Sequence, residues 1–349
     1  VNAGSQLSMI TSISDILSPA LLGSFVLLGV MPILGKSLVS FINRVAVYKN
    51  YKKPKKFDYN MVVIGGGAGG LVSSYIAAAV KAKVCLIEND KMGGDCLNTG
   101  CVPSKAIIKS ANIIHSIKNA DEFGVSCDNV KVDFTKVMAR VQEKIRNIEP
   151  HDSVERYEGL GVECIKGYAK IASPWSVQVG DRLLTTKNIV IASGGKPFIP
   201  NIKGLDKITP LTSDNIWGIE KLPEKLVIVG GGIIGCEMAQ VFSRMGSKVY
   251  LVEMLEVILS TEDRKVSDFI KKTFEEEGVE VITTAKVEEV ILKGGEKYVS
   301  CSCKDGTKLE IEFNEILIAV GRKARTDGFG LQELGIELRK DGTINTNEY

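Results

Sequence analysis

Apolar residues fall into contrasting textures along the chain. Residues 16–34, ILSPALLGSFVLLGVMPIL, run nineteen positions without a charge. That is about the length a helix needs to span a ~30 Å hydrocarbon core at ~1.5 Å per residue, so one transmembrane helix is expected there. Pro19 suits a first turn, and Pro32 is tolerated where neighbouring helices re-satisfy the freed backbone groups. From Tyr59 onward short apolar runs alternate with segments of helical period. Residues 60–64 read as a strand, 69–81 as a helix and 83–88 as a second strand, and the same order recurs at 226–230, 232–244 and 248–253. Strand–helix–strand units joined by glycine-rich junctions predict an α/β fold with parallel sheets.

The recurrence is an internal duplication. Gly65, Gly67, Gly70 and Glu88 return 165 positions later as Gly230, Gly232, Gly235 and Glu253. A lone G-x-G-x-x-G is weak, but each copy here follows an apolar strand, opens a helix and precedes, by eighteen residues from its last glycine, an acid that ends the next strand. This is the dinucleotide-binding fingerprint: the glycines let the backbone approach a pyrophosphate at a helix N-terminus, and the acid accepts hydrogen bonds from a ribose. Plain structural turns would not need the acid. Two Rossmann-like domains and two dinucleotides are therefore expected.

Charge changes the picture at the N-terminal side. The formal net charge is +2, yet Lys36, Arg44, Lys49, Lys52, Lys53, Lys55 and Lys56 lie in a stretch with no acid; setting these seven aside leaves 37 bases against 42 acids, a net of −5. A net-negative body argues against nucleic-acid binding. Bases that follow an apolar span hold what comes next on the cytoplasmic side, whereas a cleaved signal peptide carries them before it. The expectation is a dinucleotide-binding protein anchored in a bacterial inner membrane and facing the cytoplasm. The opening VNAGSQLSMITSISDILSP resembles the tail of the DedA-like membrane family, which implies that sequence precedes Val1. The layout read from these textures is a membrane segment at 1–43 with a helix over about 16–42, a basic linker at 44–57, a first dinucleotide domain at 58–199, a second at 200–322, and the start of a return to the first at 323–349.

The chain has eight cysteines with mostly irregular spacing, unlike a secreted disulfide framework. Cys85, Cys127, Cys164 and Cys236 read as small apolar filler, and Cys301 and Cys303 as packing on one face of a strand. Cys96 and Cys101 differ, because they stand in Gly93-Gly94-Asp95-Cys96-Leu97-Asn98-Thr99-Gly100-Cys101-Val102-Pro103-Ser104-Lys105. Two thiols five residues apart at a helix start can close a small reducible disulfide, and the helix N-terminus lowers a thiolate pKa. This segment resembles the redox motif of the class I pyridine nucleotide–disulfide oxidoreductase family, which includes dihydrolipoamide dehydrogenase, glutathione reductase and mercuric reductase. The resemblance covers 58–349 and extends to the IASGG stretch (191–195), TSDNIW (212–217) and the AVGR stretch (319–322).

The resemblance implies FAD at Gly65, Gly67, Gly70, Glu88, Lys105, Ser193 and Gly194, and NAD at Gly230, Gly232, Gly235, Glu237, Glu253 and Gly321, with no metal. Cys101 would face the flavin, Cys96 would be the interchange thiol, Lys105 would sit at the flavin N5 edge and Glu237 would be its ion-pair partner. A carboxylate at 253, with no base until Arg264, favours NADH over NADPH. The family usually has Pro-Asn after AVGR where this chain has Ala324-Arg325, so that loop is expected to be displaced. A second FAD motif and a dimerisation domain, which supplies a histidine to a partner subunit, would follow in the family; His115 and His151 match no such motif and read as surface or packing residues. The expected activity is electron transfer from NADH through FAD to a Cys96–Cys101 disulfide and on to a disulfide or a thiol-bound metal, in a homodimer when full length. A flavin NADH:quinone dehydrogenase has no use for the paired thiols; a membrane-tethered redox sensor would bind the dinucleotides without turnover.

Overall fold

The computed structural model describes residues 19–347. The first described element is helix α1, Pro19–Lys49. Its described apolar side chains, Phe25, Val26, Met31 and Phe41 among them, are exposed. At its end Tyr48 stacks on Trp175 with ring centroids 4.9 Å apart, and Lys53 lies over the same indole. The transmembrane span expected at 16–34 is not borne out: among the described residues no helix is long and apolar enough to cross a membrane. The uncharged part of α1 runs from 19 to 35, about 26 Å at 1.5 Å per residue, before Lys36 interrupts it. Residues 16–18 of the expected span, and most of the DedA-like opening, lie outside the described residues.

The first dinucleotide domain is built on strand β1, Tyr59–Ile64. Its Val62 and Val63 are fully buried on opposite faces, Val63 in a cluster with Leu71 and Ala78 of the following helix and Val62 in one with Ile171, Val177 and Phe329. Helix α2 (Ala68–Ala79) crosses to β2 (Val84–Glu88). The helix expected over 69–81 stops at Ala79, because Lys81 takes a left-handed φ of 65° that ends it. Then come α3 (Gly94–Asn98), α4 (Cys101–Lys118), α5 (Phe134–Ile148) and α6 (Val154–Gly159), the last two capped by the side chains of Asp133 and Ser153. Strand β3 (Val162–Lys166) closes the parallel part, and β4 (Ala169–Ser173), β5 (Ser176–Val179) and β6 (Arg182–Ile191) form an antiparallel meander. Strand β6 joins the two parts, since its far half runs parallel beside β1 with Val62 opposite Ile189, giving the order β3-β2-β1-β6-β5-β4.

The chain leaves this domain through β7 (Gly195–Pro197) and repeats the plan. Strand β8 (Lys225–Val229), helix α7 (Ile233–Met245), β9 (Lys248–Val252), helix α8 (Arg264–Glu276) and β10 (Glu280–Ile282) are followed by a meander of β11 (Ala285–Lys293), β12 (Glu296–Cys303) and β13 (Lys308–Phe313), then β14 (Glu315–Ile318). The order β10-β9-β8-β14 mirrors β3-β2-β1-β6, so the duplication covers whole domains and not only the glycine fingerprints. Strand β15 (Arg322–Ala324) returns and pairs antiparallel with β7. One apolar cluster runs from Ile107 and Ile114 of α4 and Val141 of α5 into Phe242 of α7 and Leu226 of β8, so the dithiol helix and the second domain share a core.

Candidate active site

Each glycine fingerprint sits where a sheet meets its first helix, and the two copies are geometrically alike. Gly65 has φ 106° and a Cβ there would lie 2.2 Å from Ala192 O; Gly230 has φ 108° and its Cβ would lie 2.5 Å from Ala319 O. In each case only glycine allows the β-strand to turn under the neighbouring strand end and start its helix. Glu88 Oε2 accepts from the Gly66 N–H at 2.5 Å and Oε1 from the Asp90 N–H at 2.7 Å. Glu253 does the same with Gly231 at 2.6 Å and Leu255 at 2.7 Å. Both acids are thus held against the glycine loops that sequence spacing paired them with.

The dithiol motif packs directly on the first fingerprint. The Gly93 N–H donates to Gly66 O at 2.9 Å, and a Cβ on Gly94 would come within 2.6 Å of Gly67 Cα. Asn98 Nδ2 donates to Met92 O and Gly94 O, closing the short helix α3 on itself. Cys96 lies in α3 and Cys101 opens α4; both are exposed, and Cys101 stands close enough to act on the Cys96 thiol. That contact with Cys101 is the main reason the Cys96 thiol is pushed up to about 11, with partial burial and the Asp152 carboxylate adding to it. Cys236, beside the second fingerprint, is different: it is buried, donates to Gly231 O, and burial pushes it up to about 12. Cys85, Cys236 and Cys301 are buried packing residues, whereas Cys127 is exposed.

A cavity of about 880 Å³ joins these parts. Gly65, Gly67, Glu88, Cys96, Thr99, Ser193 and Gly194 line it, together with Trp217 and Arg325. Cys101 and Lys105 are not in its wall, and the second fingerprint lies apart from it. Thr99 Oγ1 is buried with no hydrogen-bond partner. A cradle of glycine backbone, a carboxylate at the strand end and an orphaned hydroxyl in a dinucleotide-sized cavity together fit FAD at the first site.

Helices α4 and α7 set the remaining pair. Lys105 Nζ donates to Glu237 Oε1, half-exposed and linking the dithiol helix to the second fingerprint helix. Farther along, Arg244 Nη2 and Nε grip Glu277 at 2.6 and 2.7 Å while Nη1 reaches Asn112 Oδ1 at 2.6 Å. His115 sits 4.0 Å from Glu277, and His151 is on the surface. Gly321 has φ 123° and its carbonyl accepts from Phe198 N–H, at the crossover between domains.

Residues that sequence reasoning did not single out complete the site. Trp217 Nε1 donates to Thr99 O at 2.9 Å, Arg322 Nη2 to Asp95 Oδ2 at 2.5 Å, and Arg325 Nε to Gly195 O at 3.1 Å. The TSDNIW and AVGR stretches marked Trp217 and Arg322, but no local pattern told which partners they reach. At Ala324-Arg325, β15 pairs with β7 and the Arg325 N–H donates to Gly194 O at 3.0 Å.

Residues 59–349 match the family described as pyridine nucleotide-disulphide oxidoreductase. The chain is 36% identical over 297 residues to a dihydrolipoyl dehydrogenase of Acholeplasma laidlawii, covering 84% of this chain and 86% of that protein. To a mercuric reductase of Bacillus cereus it is 33% identical over 293 residues, covering 84% of this chain and 46% of that one. Among solved structures, the HOCl-induced flavoprotein disulfide reductase RclA of Escherichia coli superposes with a TM-score of 0.71 at 26% identity, covering 83% of this chain and 62% of RclA. The chain thus spans 46% of the mercuric reductase and 62% of RclA, but 86% of the Acholeplasma protein.

Proposed function

The chain belongs to the pyridine nucleotide–disulphide oxidoreductase family, and from that premise we propose that it carries electrons from NADH to a Cys96–Cys101 disulfide and on to a disulfide or thiol-bound metal acceptor. The observation that carries this reading is Cys96 in the wall of the cavity lined by the first fingerprint, with Cys101 as the neighbour that acts most on its thiol. Bound FAD would supply the two-electron relay between nicotinamide and disulfide.

The chain's own residues do the rest. Gly65, Gly67 and Gly70 open the approach to a pyrophosphate, Glu88 offers its carboxylate to a ribose, and Thr99, Ser193 and Gly194 line the same space. By family likeness Cys96 is assigned as the thiol that attacks an acceptor and Cys101 to the flavin side; of the two, Cys96 is the one in the cavity wall. Lys105 and Glu237 hold the dithiol helix and the nicotinamide helix in register through their ion pair. Glu253 takes the ribose of NADH, and its charge repels a 2′-phosphate; Arg264 is tied to Asp268 and Lys304 to Glu256, so neither base is free to offset it.

The experiment is a thiol count on flavin-loaded protein. NADH should raise the number of titratable thiols by two, and Cys96→Ser or Cys101→Ser should abolish the gain; an undiminished gain in either variant would remove that cysteine from the reading. The comparison of kcat/KM for NADH and NADPH should favour NADH. A homodimer, tested by sedimentation, and association of α1 with a membrane surface through its exposed apolar residues and the bases after it, tested by carbonate extraction, belong to the same proposal.

A further inference from the structure

The dithiol segment is held at both ends by groups that lie far from it in sequence. Asp95, which immediately precedes Cys96, is gripped by Arg322 at 2.5 Å. The same guanidinium donates to Gly195 O at 2.8 Å and Ser213 Oγ at 2.9 Å, and stands 3.6 Å from Asp214 Oδ1. At the other end the carbonyl of Thr99 is held by the Trp217 indole, which also donates to Ser213 O at 2.7 Å. One arginine therefore joins the dithiol helix, the 213–217 segment and the β7–β15 crossover.

Its charge matters as much as its contacts. Cys96 must react as a thiolate, yet Asp95 precedes it in the chain, Asp152 acts on it from the turn after α5, and Cys101 stands beside it. A carboxylate on the residue preceding a thiol disfavours the developing thiolate unless a cation offsets it. Arg322 is the cation bonded to the Asp95 carboxylate. Gln142 and Ile145 of α5, which face the same cavity, carry no charge.

We propose that Arg322 is a positioning residue for disulfide exchange, neutralising Asp95 and keeping Cys96 seated beside Cys101. This rests on the function proposed above for the dithiol. The test follows alkylation of Cys96 by iodoacetamide in the full chain, reduced and desalted at pH 8, read by mass spectrometry of the Cys96 peptide. Arg322→Met should slow alkylation about tenfold, one pKa unit's worth of thiolate, and Arg322→Lys should keep most of the rate. Adding Asp95→Asn to Arg322→Met should restore the rate, since the charge to be offset is gone; a merely structural arginine would show no such rescue. An unchanged rate in Arg322→Met, or a double variant as slow as the single, overturns the proposal. Should Arg322→Met not fold, Asp95→Asn alone, with Arg322 retained on its other partners, should alkylate faster than the parent, and equal rates there would overturn it as well. No NADH, flavin turnover or acceptor enters this assay. A parent chain without NADH-driven thiol formation would therefore sink the proposed function and leave the Arg322 result standing.

Discussion

Gly70 and Gly235 leave no space for a side chain: a Cβ would fall 1.8 Å from Gly65 O in the first case and 1.9 Å from Gly230 O in the second. The obstructing atoms are backbone, which cannot rotate aside. Gly70→Ala should cost on the order of 2 kcal/mol by overpacking and strip flavin from the purified protein, read by melting and by the 450 nm to 280 nm absorbance ratio. Gly235→Ala should instead keep flavin and weaken NADH binding, read by titration; loss of the same ligand in both variants would contradict two separate sites. For Cys96, a thiol pushed up to about 11 has its alkylation rate still climbing with pH beyond 9, where an ordinary thiol levels off. Because Asp152 raises that value, Asp152→Asn should lower it and speed alkylation at pH 8 about two- to threefold. A rate unmoved by this change would place Asp152 outside the thiol's surroundings.

Helices α4 and α7 lie side by side, joined by two ion-pair groups that differ in burial, and burial decides what each is worth. Lys105 is 62% exposed and Glu237 29%, so water and salt screen the pair. Lys105→Met should therefore change stability by less than about 1 kcal/mol while stopping NADH-driven thiol formation. Arg244 and Glu277 are 13% and 11% exposed, with Asn112 and Gln240 completing their hydrogen bonds. Removing one partner strands a charge inside the protein, so Arg244→Met should cost about 3 kcal/mol or more in urea denaturation. If the two variants lose equal stability, burial is not what separates them. The distinction is functional: the exposed pair stands at the chemical end of the helices, and the shielded one locks their far end.

At the scale of the whole molecule the two dinucleotide domains share a core, since Ile107, Ile114 and Val141 of the first belong to the same apolar cluster as Phe242, Met245 and Leu226 of the second. Neither domain can open without exposing that shared surface. Calorimetry should therefore show a single unfolding transition for the region from β1 to β15, with calorimetric and van't Hoff enthalpies in agreement. Two resolved transitions would mean that the domains unfold apart. The double connection through β7 and β15 adds to this coupling, because both strands of the crossover pair with each other.

Short-range pattern determined much of this protein. The two strand–helix–strand units, the glycines and acids of both fingerprints, and the cysteine pair were legible because each rests on spacing within about thirty residues, where period and turn chemistry act locally. The ion pair of Lys105 with Glu237 was legible too, though only through family likeness. The same local reading went too far at the N-terminus, where no described helix is long and apolar enough to cross a membrane. The tertiary structure alone decided the rest: that the duplication includes the meanders and closing strands, that Gly94 rests on Gly67, and that Trp217 reaches Thr99 across 118 residues and Arg322 reaches Asp95 across 227. Contacts of that separation depend on how two completed domains close against each other, and no periodicity along the chain records the angle at which they do so.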